Sequence, residues 1–265
     1  MHPARIVCTA MAACLISEGW AQHSPRRQPS VWPDPPRMLE VEEEYLAREN
    51  SHQCLVNSSP SPVVDVHWLR IPRHVRQRYD RAQHARAGGN VSLAASELER
   101  AVHDYPEFGK GWSLLGEMRL ELNQDDAARG AFNRAIALDS ASPEPKLGLA
   151  WLMLKQNRAE DAIALAEPVR QQHPGLAEAH YVVAVAYHTI HEAIPARDAA
   201  LTVIRLGAET TYPRVHLIIG DILSMQGQTA AAITAFENFL QLEPSGETSE
   251  RVRARLATWG APGGY

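Results

Sequence analysis

The chain has 265 residues, of which 45% are apolar and 22% charged, with three Cys and a formal net charge of −5. This composition belongs to a folded protein and excludes a disulfide-dense scaffold; it also lacks the basic surplus a dedicated nucleic-acid binder needs. No apolar run reaches the ~18 residues of a membrane-spanning helix. Alanine is the outlier, with 39 copies, 33 of them after residue 81, whereas Phe and Tyr number only four and seven. Ala is the best helix former, so an all-α chain is expected.

Residues 1–21 read as a secretory signal. Arg5 supplies the positive start, Ile6 to Ile16 a short apolar stretch, and Gly19-Trp20-Ala21 the small residues before a cut at Ala21/Gln22. The expected location is periplasmic or secreted. An alternative rests on Met11-Ala12-Ala13-Cys14, which weakly resembles a bacterial lipobox and would make an outer-membrane lipoprotein anchored through Cys14. Cleavage at Ala21 leaves Cys54 as the one thiol, so stability must come from packing.

Residues 22–71 form an irregular N-terminal segment. Pro25, Pro29, Pro33, Pro35 and Pro36 make 22–36 an extended linker, since Pro suits neither a helix nor a sheet interior. A short helix is expected over 37–50, a loop over 51–62, and an extended β-branched stretch from Val63 to Leu69.

Periodicity decides the remainder. Small residues recur at Ala82, Gly116, Ala150, Ala184 and Gly220, spaced 34, 34, 34 and 36. A second series, Ala94, Ala128, Ala162, Ala196 and Ala232, keeps the same spacings twelve residues on. Each unit then holds two amphipathic helices, A and B, whose backbones approach closely at the small residues. Larger residues at Leu98, Phe132 and Phe236 fill the gap between helix B and the next helix A. Turns between A and B are expected at Gly88-Gly89-Asn90, Asn123, Asn157, His191 and Gly227. Pro106, Pro174 and Pro244 close three units. No unit can bury its apolar face alone, but a stack can.

Three interruptions break the pattern. Thr211-Tyr212 is a two-residue insertion that is expected to open the stack locally. Pro168 lies inside a helix B and should kink it or end it early. His180 and His216 stand where a bulky aromatic is expected at the start of helix A. Residues 247–259, with Val252, Leu256 and Trp259 on one face, read as a C-terminal capping helix, followed by a tail at 260–265.

This pattern resembles the tetratricopeptide repeat (TPR) family. Residues 109–142 match it best, through Trp112, Leu115, Gly116, Ala128, Phe132 and Ala135. Units 143–176, 177–210 and 213–246 follow, and 75–108 is degenerate because Arg78 and Arg81 replace apolar residues. The resemblance implies an all-α, right-handed superhelical solenoid of about five helix pairs plus the capping helix, spanning 72–259. It also implies a non-enzymatic scaffold that binds a protein or peptide on the concave face lined by the A helices. The alternative is a structural or assembly subunit of a cell-envelope complex.

Two rows mark that face: Ser113, Leu147, Tyr181 and Leu217, and one turn further Glu117, Trp151, Val185 and Asp221, with Lys155 and His188 beyond. The middle of the groove is apolar and aromatic, which suits a partner helix or extended apolar segment and not a Lys/Asn carboxylate clamp. Whether Trp151 and Tyr181 meet solvent or pack into the core stays open at this point. A second candidate is the basic stretch Arg70, Arg73, Arg76, Arg78, Arg81 and Arg86, opposed only by Asp80; it could dock an acidic partner or anionic lipid headgroups, or form a solvated cap. His188 and His191 form an HxxH pair without the Glu of a zinc signature, so no metal is expected. No cofactor is expected, no catalytic residue is assigned, no nucleic acid is expected as a partner, and contact with a membrane is expected only through a lipidated Cys14.

Overall fold

The computed structural model describes Trp68 and residues 70–260. The expected export signal, the Pro-rich segment, the helix at 37–50, Cys14, Cys54 and most of the tail lie outside these residues. Trp68 takes helical backbone, in place of the extended backbone expected there; the loop expected at 51–62, residues 63–67 and Leu69 lie outside the described residues.

Eleven helices follow one another among the described residues: α1 Arg73–Ala87, α2 Val91–Asp104, α3 Gly109–Glu121, α4 Asp125–Leu138, α5 Glu144–Lys155, α6 Ala159–Gln172, α7 Ala177–Thr189, α8 Ala193–Arg205, α9 Val215–Met225, α10 Thr229–Leu242 and α11 Glu247–Gly260. Odd-numbered helices are the A members and even-numbered ones the B members. Each A packs on its own B and each B on the next A. The A helices α3, α5, α7 and α9 also touch in succession. This makes an all-α solenoid with the A helices on its inner side.

The turn chemistry follows the sequence reading position by position. Gly89, Asn123, Asn157, His191 and Gly227 all have left-handed backbone, with φ of +77°, +57°, +57°, +64° and +76°. Gly tolerates this region freely and Asn fairly well, because Cβ crowds the carbonyl there. His191 is therefore a turn residue. The B helices α2, α6 and α10 end two residues before Pro106, Pro174 and Pro244.

The two small-residue series mark the closest backbone approaches. Every Ala among them is fully buried. A Cβ on Gly116 would lie 2.5 Å from the Phe132 ring, and one on Gly148 would lie 2.4 Å from the same ring. Phe132 of α4 is thus clamped between α3 and α5. Phe236 meets Gly220 in the same way, at 2.7 Å.

Pro168 does not end its helix early, and the insertion does not open the stack. Helix α6 runs through Pro168 to Gln172. Pro168 and Ala164, the residue whose carbonyl loses its partner, are both exposed, so water can take up the lost hydrogen bond. The Thr211-Tyr212 insertion does not open the stack, since α7 still touches α9. Its amides fold back on the Ala208 carbonyl at 3.0 and 2.9 Å, and the Tyr212 ring stacks on Tyr181 with centroids 4.7 Å apart.

The histidine substitution at 180 is explained by geometry. Trp112 donates its indole N–H to the Pro106 carbonyl at 2.9 Å, and His180 Nε2 lies 2.9 Å from the Pro174 carbonyl. Both tie the start of helix A to the proline that closes the preceding unit. Helix α11 keeps the register of a further helix A: Arg255 stands 34 residues after Asp221 and binds it at 2.5 Å.

Candidate functional site

The A-helix face carries the residues singled out from the sequence, but most of them are internal. Leu147, Tyr181, Val185, Leu217, His188 and Ser113 are buried, and Trp151 is 7% exposed. Trp151 and Tyr181 pack at a centroid distance of 5.6 Å, and Tyr212 extends the series. Of the two readings left open, these aromatics are buried within the stack. The physical reason is the tight succession of A helices, which sets Trp151 against Tyr181 of the next A helix, while the insertion places Tyr212 over the Tyr181 ring. A contiguous exposed apolar strip is thereby avoided.

Of the polar members of the rows, Lys155, Glu117 and Asp221 are engaged with neighbouring units. Lys155 Nζ lies 2.6 Å from Asp125 Oδ1 and 2.8 Å from Asn123 Oδ1, pinning α5 to the preceding turn. Asp221 accepts from Arg255 and stands 3.5 Å from His188 Nε2. Arg255 also donates to Ser224 Oγ at 2.6 Å and lies over the Phe236 and Trp259 rings. The C-terminal helix therefore occupies one end of the predicted groove.

The basic stretch is divided. Arg78 and Arg81 approach Glu97 at 3.8 and 3.2 Å, and Arg78 reaches Asp104 at 3.3 Å. Glu97 is buried, so these arginines hold α1 to α2 through ion pairs in place of the expected apolar contacts. Arg86 pairs with Glu117 at 3.0 Å. Arg70 and Arg73 are exposed and Arg76 is half-buried.

The strongest electrostatic feature is acidic. Glu117 on α3 is pushed up to about 7, mainly by burial, then by Glu178, Glu121 and Glu144, with Arg86 opposing. Burial also raises Glu121 and Glu178, and again Arg86 opposes. Only Glu117 of this group was legible from the rows. Glu144 and Glu178 stand 34 residues apart at the first turns of α5 and α7; this recurrence was the signal that could have found them. Among the described residues no cluster of His, Cys, Asp and Glu is arranged to hold a metal ion, and no helix is long and apolar enough to cross a membrane.

Comparison with known proteins agrees with this geometry. Tetratricopeptide repeat profiles match residues 79–143, 126–186 and 214–246. Solved structures with the same fold include MamA from Desulfovibrio magneticus RS-1, at 17% identity and TM-score 0.54, covering 67% of this chain and 99% of that one. PilW, titled a widely conserved type IV pilus biogenesis factor, has 15% identity and TM-score 0.59, covering 70% and 87%. Pseudomonas aeruginosa pilF has 18% identity and TM-score 0.61, covering 70% and 83%. No curated protein matches the chain in sequence. TPR proteins are characteristically protein–protein interaction scaffolds and typically not enzymes. With its 34-residue period, alternating A and B helices and matching profiles, the chain belongs to the tetratricopeptide repeat family.

Proposed function

We propose that this protein is a non-enzymatic scaffold that holds a segment of a partner protein against the A-helix face of α3, α5 and α7. The observation that carries this reading is the concentration of partly desolvated carboxylates on that face, centred on Glu117. Isolated buried charge is unfavourable unless it is paired, so such a concentration is a functional-site candidate. The buried Leu147, Trp151, Tyr181, Val185 and Leu217 shape the floor of the face, and Ser113, Lys155, His188 and Asp221 frame it. Export through residues 1–21 would bring the protein to the cell envelope, where it would act in solution or, with Cys14 lipidated, from a membrane.

Charge reversal separates the two sides of the stack. Glu144→Arg with Glu178→Arg alters the A-helix face, and Asp126→Arg with Glu160→Arg alters the B helices. In affinity capture from envelope extract, the first pair should lose a protein that wild type and the second pair retain. Equal retention by all three proteins would contradict the reading. Intact mass of the exported protein tests the anchor, since a mass matching Gln22 to Tyr265 supports a soluble species.

A further inference from the structure

Four carboxylates stand on three successive A helices: Glu117 and Glu121 one turn apart on α3, Glu144 in the first turn of α5 and Glu178 in the first turn of α7; Glu144 is exposed and the other three are half-buried. Glu117 is influenced by each of the other three. The cation that moderates Glu117, Glu121 and Glu178 alike is Arg86 of α1. One guanidinium is thus shared by three carboxyl groups, and Arg86 is already committed to Glu117 at 3.0 Å.

A second observation is independent of the charges. Ser113, one turn before Glu117 on the same stripe of α3, is 8% exposed, and its hydroxyl lacks a hydrogen-bond partner. Oε1 of Glu121 is likewise buried without a partner. Buried polar groups are normally satisfied, so these two mark positions where a donor is missing. The donor set is wrong for a metal, because these groups do not converge to ligand distances. The carboxylates are instead spread over three successive A helices.

We propose that this acidic face binds a cationic segment of a partner protein, in polyproline II form and carrying Arg at about every third residue. This rests on the scaffold reading above and names the chemistry of its partner. The spacing follows from dimensions: neighbouring helices lie ~8–10 Å apart, and a polyproline II chain advances ~3.1 Å per residue and returns to the same face every third residue. About three residues then separate side chains that address adjacent A helices. Arg suits the task, since its planar fork gives several donors to carboxylates and tolerates desolvation better than an ammonium.

Binding then has a pH signature. A guanidinium beside Glu117, whose carboxyl is pushed up to about 7 by burial, favours its charged form, so binding releases a proton near neutral pH and strengthens from pH 6 to 8. The other groups coupled to Glu117 are Arg86 and Tyr79 of α1 and Glu144 of α5; burial raises the Tyr79 hydroxyl above its ordinary value, so it stays neutral over that range.

The probe is a fluorescein-labelled peptide with Arg at every third residue and Ala or Ser between, titrated into the full chain and followed by anisotropy. Glu144→Gln with Glu178→Gln should weaken binding about tenfold or more, with unchanged helical circular dichroism. Asp126→Asn with Glu160→Gln removes the same formal charge from the B helices and should leave affinity within about twofold. Equal weakening by both pairs, affinity that falls from pH 6 to 8, or no saturable binding would overturn the proposal. A captured partner lost only from A-face variants, but whose bound segment carries no Arg or Lys, would overturn this proposal while leaving the scaffold reading intact.

Discussion

His180 Nε2 lies 2.9 Å from the carbonyl oxygen of Pro174, in the place where Trp112 ties its helix to Pro106 two units earlier. A histidine thus performs a packing role usually given to a larger aromatic ring, and it does so in the neutral state. Burial holds its pKa below the ordinary value, and the bond to Pro174 opposes that shift only partly. The folded form therefore binds fewer protons than the unfolded form. The contribution of His180 to stability is present above the ordinary pKa of 6.5 and is lost as pH falls through the lowered one. His180→Ala should destabilise by about 1–3 kcal/mol at pH 8, and thermal melts at pH 8 and pH 5 should show a smaller deficit at the lower pH.

Glu117 works in the opposite sense. Its carboxyl is pushed from 4.5 to about 7, so between these values the folded chain holds a proton that the unfolded chain has released. Its contribution to stability is greatest below pH 4.5 and declines as pH rises to 7 and above. Glu117→Gln should match wild type near pH 5 and melt higher than wild type at pH 8. His216, lowered to about 4 by burial, acts in the His180 direction, so the comparison must be between variants at each pH.

The clamp on Phe132 gives a packing prediction. Gly148→Ala adds a methyl 2.4 Å from its ring, beyond what rotation of a buried ring can absorb. A loss of about 1–3 kcal/mol is expected, partly offset by the better helix propensity of Ala. Phe132→Leu in the Gly148→Ala background should recover part of that loss. A double-mutant cycle by urea denaturation measures the coupling.

His191 carries a φ of +64° at a turn where the corresponding residues are Gly or Asn. His191→Gly should raise the melting temperature, by about 0.5–1 kcal/mol in stability. The same change at an ordinary helical position would lower it.

Much of the fold was legible because its determinants repeat. The Ala and Gly series located the close approaches between helices, Asn123, Asn157 and His191 located the left-handed turns, and the prolines located the B-helix ends. The site was less legible. The 34-residue rows identify the face on which Trp151 and Tyr181 lie, but a period cannot tell whether the next helix covers that face. Tyr212 escaped because it sits in an insertion that interrupts the period, and its partner Tyr181 is a neighbour in space alone. The occupation of Asp221 by Arg255 required knowing that the last helix continues the A register. Arg78 and Arg81 stood out as charged residues at apolar positions, but their acceptor, Glu97, belongs to the facing helix and no spacing rule links them.

The central claim is that the A-helix face of α3, α5 and α7 is the surface that holds a partner. Hydrogen–deuterium exchange of the full chain with and without a captured partner tests it most directly. The account predicts added protection in Gly109–Glu121, Glu144–Lys155 and Ala177–Thr189, with the B helices between them unchanged. Protection confined to α4, α6 and α8, or to residues before Arg73, would contradict it.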